Sequence, residues 1–219
     1  MKLFPNMHPN RILPFLLGIL SIGVLLATAP RSAAEGEPAV IVKGVLGKAQ
    51  FSRGGAASAP LGPNMVLKQG DIIQTASGSA LDLDLGQEPG VLRLTQNTAA
   101  VLDRLSSTNG NTQIQISLRA GELLGLARPL PQDSRLEIKV TTGMARILEG
   151  RYRVDARGNV VVTQGRALFA HVPASGDPSA HTLSAPPAVY FTATEGVRPA
   201  PKDLEREVFN QLRSKLPRR

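Results

Sequence analysis

Two closely spaced aspartates are this chain's nearest approach to a metal-binding motif. Asp82 and Asp84, followed by Gly86, have the spacing of the first ligands in a calcium loop. Calcium takes six to eight oxygen ligands, however, and neither a third Asp nor a closing Glu follows at the required spacing. Both aspartates also alternate with the leucines of 81–85, which is the pattern of a strand with one buried face. We therefore expect both carboxylates to face solvent on a strand.

Histidine and cysteine offer little for metal binding. Only His171 and His181 follow residue 34, and the whole chain has no cysteine. A zinc site needs three or four ligands of these kinds, and neither histidine has another His or Cys near it in the sequence. We predict that both histidines lie in loops or at strand ends, and that the protein binds no metal or other cofactor.

Three carboxylates are the first candidates for acid–base chemistry in an envelope hydrolase or a glycan-binding protein: Asp71, Glu122 and Glu149. Nothing in their spacing favours a sugar cleft. The sequence also lacks a Gly-x-Ser-x-Gly elbow and a glycine-rich phosphate loop before a helix. Asp71 follows Gly70 at a predicted turn, where a carboxylate usually accepts backbone N–H groups. The sequence therefore predicts a protein that is not an enzyme.

The elements that position these residues are short strands. From Val40 to Ala170, turn signals recur every 6 to about 12 residues, and apolar and polar residues alternate between them. The segments 81–85 and 114–118 are the clearest examples. This spacing predicts an all-β body built as a sandwich or a β-solenoid-like stack, since both bury one face of many short strands.

The N-terminal residues have the composition of an export signal. Lys2 and Arg11 precede an apolar run from Pro14 to Leu26, and small residues fill positions 32–34. We expect a signal peptide over 1–34, cleaved after Ala34, and therefore an exported protein. The alternative is an uncleaved inner-membrane anchor, although the apolar run is short for a span of about 20 residues.

The rest of the chain divides into three parts: an all-β domain over 35–170, a Pro-, Ser- and Ala-rich connection with one possible strand over 171–200, and an amphipathic helix over 201–217. The helix is a candidate for partner binding. Its proposed contact residues are Leu204, Val208, Leu212, Arg213 and Lys215. Docking on the body, binding a partner groove, and lying on an anionic membrane surface all remain open for it.

The charge distribution argues against nucleic acid as a ligand. The formal net charge is +8, but seven basic and three acidic residues lie from Arg198 onward, and three more basic residues lie within 1–34. The body is therefore close to neutral, whereas a nucleic-acid-binding domain presents a basic face with interleaved aromatic residues. Only 4% of the residues are aromatic, and Trp is absent.

Taken in order, the turn and strand motifs of residues 40–170 resemble the FecR domain, named for periplasmic regulators of iron uptake. The positions that carry the resemblance are Gly70, Asp71, Ile73, Thr75, Ser79, Gly121, Gly143 and Gly165. They are joined by paired apolar residues at 92 and 94, at 152 and 154, and at 160 and 162. The resemblance implies an exported all-β domain in which these positions are structural, and together with the export signal it implies the periplasm as the compartment.

The same resemblance guides the functional expectation. FecR-type regulators have a cytoplasmic anti-sigma segment and a receptor-contacting module. We expect this chain to lack the anti-sigma segment, because about 11 residues precede its apolar run, and we identify no clear receptor-contacting module toward its C-terminus. We therefore predict a non-catalytic binding or scaffold domain that recognises another envelope protein, with its oligomeric state open. The alternatives are a membrane-tethered signalling regulator and a glycan-binding envelope protein.

Overall fold

The computed structural model describes residues 39–86 and 90–213. The predicted signal peptide over 1–34 and the helix residue Lys215 lie outside the described residues. Within the described ranges, the chain forms sixteen strands followed by one helix. The strands are β1 (Val40–Leu46), β2 (Ala49–Ser52), β3 (Ala59–Pro60), β4 (Val66–Leu67), β5 (Ile72–Thr75), β6 (Ala80–Asp84), β7 (Val91–Leu94), β8 (Ala99–Thr108), β9 (Asn111–Ala120), β10 (Glu122–Ala127), β11 (Arg135–Val140), β12 (Gly143–Asp155), β13 (Val160–His171), β14 (Ser179–Ala185), β15 (Val189–Thr192) and β16 (Gly196–Pro199), and the helix is α1 (Lys202–Arg213).

All of the strands belong to one hydrogen-bonded sheet that curls as a half-barrel. The main path runs β3-β2-β5-β8-β9-β11-β12-β10-β7-β6-β1-β4, and β13 adds β14, β15 and, through β15, β16. Neighbours are antiparallel except for the parallel pair β9 and β11. The predicted all-β fold with a C-terminal helix is therefore confirmed.

The long hairpin of β12 and β13 joins the two halves of the sheet. The first part of β12 pairs with β11 and the last part with β10, while β13 follows its opposite edge. Where the two parts meet, Gly150 lies opposite Gly165, and both have positive φ angles, of 100° and 84°. A Cβ on Gly150 would overlap the carbonyl oxygen of Gln164. Glycine at this point lets the hairpin change direction.

The inner face of the sheet is a continuous apolar core. The alternation of 81–85 places its three leucines in this core, as the pattern predicts. Asp82 and Asp84 lie on the other face, where Asp82 binds Arg93 and Asp84 binds Lys43. The core also contains Tyr152, which is fully buried. Burial raises the pKa of its phenol far above the ordinary value, so the group stays protonated.

Replacing Tyr152 with phenylalanine should stabilise the protein. Its hydroxyl is buried and makes no hydrogen bond with any described residue. An unsatisfied buried hydroxyl costs about 1–3 kcal/mol, so Tyr152→Phe should raise the free energy of unfolding by about 1 kcal/mol. Urea denaturation followed by circular dichroism would measure this change. A loss of stability of similar size would mean that the hydroxyl has a partner in solution.

The segment 171–200 differs from the predicted connection, because it carries three strands rather than one possible strand. It contains β14, β15 and β16, and its Leu183 and Phe191 are buried in the core. A strand on the outside of a sheet buries only alternate residues, so a Ser- and Ala-rich sequence can supply enough apolar surface. His181 lies within β14, not at a strand end, and packs with His171 against Phe191.

Candidate functional site

Asp71, the most prominent polar residue of the FecR-like motif, has a structural role in the turn before β5. Its side chain is fully buried and accepts two hydrogen bonds from Arg53, at 2.6 and 2.7 Å. It also accepts a 2.8 Å bond from the backbone N–H of Lys68. Preceding it, Gly70 donates its N–H to the carbonyl of Leu102. These bonds close the turn before β5 and leave the carboxylate no open approach.

Thr75 and Thr98 connect the turns at one end of the sheet. Thr98 donates its backbone N–H to the Thr75 hydroxyl at 3.0 Å, and its own hydroxyl bonds the carbonyl of Glu122 at 3.1 Å. Both threonines are buried. A Cβ on Gly121 would overlap Thr98, so glycine allows this close approach. The network satisfies buried polar groups of three turns, which is a structural role.

The remaining motif positions are also structural. Ile73 is fully buried, and Ser79 accepts a hydrogen bond from the Lys48 backbone N–H at 2.9 Å. Gly143 begins β12, and Gly165 lies at the bend of the long hairpin. The structure thus distributes the motif over turns and strands and does not gather it around a cleft.

The three candidate carboxylates are not brought together either. Each lies beside a different arginine: Asp71 beside Arg53, Glu122 beside Arg153, and Glu149 beside Arg166. A general acid and its partner carboxylate need to flank one bond. Asp71 lies in the turn before β5, whereas Glu122 lies on β10 and Glu149 on β12. No group of three His, Cys, Asp or Glu side chains within 39–86 and 90–213 could hold a metal ion.

The C-terminal helix docks on the body. Val208 is fully buried against Leu124 of β10 and Val161 of β13, and Leu204 packs at the edge of this cluster. Of the three open readings for the helix, the structure shows docking. The stripe that contains Leu204 and Val208 is therefore occupied by the sheet. The proposed role of the helix in partner binding remains a prediction.

Charged residues cross the junction between the helix and the sheet. The Arg153 guanidinium lies 3.4 Å from Glu207 on the helix and 3.9 Å from Glu122 on β10. Burial raises the pKa of Glu122 above its ordinary value of 4.5, and Glu207 and Asp155 add to this shift, while Arg153 opposes it.

Glu122→Gln should flatten the pH dependence of stability. Because the folded state favours the protonated carboxyl, Glu122 stabilises the protein fully below its unfolded pKa, and this contribution is lost as the pH rises through the folded pKa. Glutamine keeps the shape without titrating. The variant should therefore gain stability relative to the parent as the pH rises above about 4.5. Urea unfolding across that range would measure it, and parallel curves for the two proteins would contradict the assignment.

Two of the surface cavities lie next to residues of the FecR-like motif. A groove of about 730 Å³ is lined by small residues and amides, including Gln50, Gln74 and Asn97. Its lining has no histidine or carboxylate, so it offers no acid–base pair. A second cavity, of about 310 Å³, lies beside the helix and includes Arg93 and Glu122. Arg93 is already bound to Asp82.

Comparison with known proteins supports the resemblance to the FecR domain. Residues 71–168 match the family model described as FecR protein. This match confirms, over those residues, the resemblance that the motifs indicate. No curated protein matches the chain. The first strands, the segment after β13 and the helix lie outside the FecR match.

Two solved structures of a candidate anti-sigma factor from Parabacteroides distasonis are similar to this chain. Each is 16% identical to this chain, with TM-scores of 0.44 and 0.43. The match covers 58% of this chain and 57% of the other, so the chain spans little more than half the length of these structures. Among the residues that the structure describes, no helix combines the length and apolar character needed to cross a bilayer.

The sequence analysis missed the strand β14. This strand pairs with β13 on one side only. The signal that could have revealed it is the run of seven uncharged residues 179–185, which is bounded by Pro178 and Pro186. Alternation within that run is weak, because Leu183 is its one fully buried residue.

Proposed function

We propose that this FecR domain is a non-catalytic binding module that is exported to the cell envelope and recognises another protein. The observation that supports the proposal is the use of the motif's polar side chains within the fold. Asp71, Thr75 and Ser79 of the motif are all buried and hydrogen-bonded to neighbouring segments, Thr75 to the adjacent Thr98. A domain whose polar groups are committed in this way offers surfaces rather than a reaction centre.

Crosslinking in intact cells would test this proposal. The full chain carries an affinity tag at its C-terminus, and crosslinked products are identified by mass spectrometry after denaturing purification. We expect one envelope protein to be enriched reproducibly over a sample without crosslinker and over an unrelated tagged exported protein. Enrichment of no protein, or binding to purified peptidoglycan alone, would overturn the proposal.

A membrane-tethered signalling regulator is the second candidate. The family match favours it, because the FecR domain takes its name from regulators. The apolar run at 14–26 would then stay in the inner membrane as an anchor. Mass spectrometry of the N-terminus of the native protein distinguishes the two candidates. A chain starting at Glu35 in the soluble envelope fraction favours the free binding module, while an intact N-terminus in the membrane fraction favours the regulator.

A further inference from the structure

The outer edge of β14 is an open template for another strand. β14 spans seven residues and pairs with β13 through Gly165–His171. No strand in the described ranges pairs with its other side. An edge of this length presents a row of unpaired backbone donors and acceptors, on which an extended peptide can form a new ladder.

The hydrogen-bonding pattern identifies which residues face this edge. Val172 donates its N–H to the carbonyl of Thr142, on the side of β12. The backbone N–H and C=O groups of the even-numbered residues in this part of β13 therefore point toward β12. The intervening residues of β13 point toward β14, where they pair with Ser179, His181 and Leu183. The other residues of β14 therefore direct their N–H and C=O groups to the open edge. These are Ala180, Thr182 and Ser184.

Other strands at the borders of the sheet are protected against such pairing. β3 and β4 have two residues each, and β3 ends in a proline. β16 carries Arg198 and Pro199. β14 has neither a proline nor a formal charge within its seven residues. Short strands, proline and charge are the usual means of blocking edges, and β14 lacks all of them.

The sheet face next to this edge is basic and partly apolar. Its cross-strand neighbours include Arg146 opposite Leu168, and Leu168 opposite Thr182. Leu168 is 39% exposed, and the side chain of Arg166 is 58% exposed. Neither β13 nor β14 contains an acidic residue. Across β11, residues 143–149 of β12, and β13, this face has four basic side chains and two acidic ones, of which Arg166 and Glu149 pair with each other: Arg135, Lys139, Arg146 and Arg166 against Glu137 and Glu149.

We propose that β14 binds an extended protein segment in which acidic residues alternate with apolar ones. The segment adds to the sheet through the backbone of residues 180, 182 and 184. Its acidic side chains lie on the basic face and extend over the small side chains of β14. The added strand lies about 10 Å from β13, two strand spacings away, so a long acidic side chain and Arg166 can meet. The inference rests on the proposed function and names the surface and the chemistry of its partner.

Charge favours this occupant over a second copy of the chain. Two β14 strands paired with each other would bring no acidic residue to the basic face, and they would place the Arg166 side chains of both copies along the same ribbon. Like charges across neighbouring strands are destabilising. An acidic segment neutralises the face.

Thr182→Pro tests the backbone contact. Proline removes the outward N–H at 182 and leaves the bonds of β14 to β13 intact, because those come from the neighbouring residues. Thr182→Val is the matched control, since it changes the side chain but keeps the N–H. The probe is a fluorescein-labelled octapeptide of alternating Glu and Val, with a Lys and Val peptide for comparison. Binding to the full chain is measured by fluorescence anisotropy.

We expect the Glu and Val peptide to bind the parent and Thr182→Val equally, and to bind Thr182→Pro at least about tenfold more weakly. Arg166→Gln should also weaken binding of the Glu and Val peptide. The Lys and Val peptide should bind the parent more weakly than the Glu and Val peptide does. Circular dichroism and thermal unfolding check that Thr182→Pro is folded. Equal binding by Thr182→Pro, or no binding by the parent, overturns the assignment. A dimer of the parent that Thr182→Pro abolishes would assign the edge to a second copy instead.

Crosslinking with the same variants separates this inference from the proposed function. If Thr182→Pro loses the envelope protein that the parent and Thr182→Val capture, the β14 assignment is supported. If all three proteins capture it equally, the binding function stands and the β14 assignment is wrong. If none captures a protein, the proposed function itself fails.

Discussion

Gly150→Ala should lower the free energy of unfolding by about 3 kcal/mol. Two effects combine at this position. The backbone φ of 100° disfavours any residue with a Cβ, and the added carbon would overlap the carbonyl of Gln164 on the facing strand. The carbonyl carbon and oxygen of Gln164 are backbone atoms and cannot turn aside as a flexible side chain could, so the strands themselves must move apart. Because β12 pairs with β10, β11 and β13, that movement would disturb both halves of the sheet.

Gly110→Ala is the control for the backbone term alone. Gly110 has a φ of 80°, and a Cβ there meets no atom within 4 Å. Its substitution should cost about 1 kcal/mol, the usual penalty for a residue with a Cβ in the left-handed region. Urea denaturation of both variants gives the difference. Equal losses would show that the hairpin accommodates the Cβ and that crowding at the bend is unimportant.

Asp71→Asn should cost about 2 kcal/mol, because it disrupts two charge-assisted hydrogen bonds between a fully buried carboxylate and a half-exposed arginine. The carboxylate is fully buried and holds Arg53 through two hydrogen bonds. An asparagine turns an N–H group toward that guanidinium and can no longer bind it through two oxygens. The bond from Lys68 can persist, so the loss comes mainly from the arginine. Urea denaturation at neutral pH measures the effect.

Asp84→Asn is the matched surface control. Asp84 forms its ion pair with Lys43 at 3.1 Å, but its carboxylate is partly exposed, whereas that of Asp71 is fully buried. An exposed pair contributes about 0–1 kcal/mol, so this variant should change stability little. A double-mutant cycle of Asp71→Asn with Arg53→Gln would then give the coupling energy between Asp71 and Arg53. A small loss for Asp71→Asn, together with no coupling, would contradict the assigned role of Asp71.

The sequence predicted correctly the features that depend on neighbouring residues. The leucines of 81–85 point into the core as their alternation predicts, because a strand sends successive side chains to opposite faces. The turn before β5 behaves likewise, since Asp71 accepts the N–H of Lys68, three residues away. The helix over Lys202–Arg213 follows from its four-residue apolar spacing. Each of these depends on neighbours within one strand, turn or helix.

Tertiary structure decided everything that depends on distant partners. Arg53 reaches Asp71 across 18 residues, and Gly150 meets Gly165 only because a hairpin brings them face to face. The strands of 171–200 form because β13 offers an edge to pair with, whatever their own composition. The open edge of β14 is likewise a property of strand order. The sequence by itself determined the β-rich class and the resemblance to the FecR domain, because both depend on local turn and strand patterns. The pairing of distant strands decided which edge is left open among the strands that the structure describes.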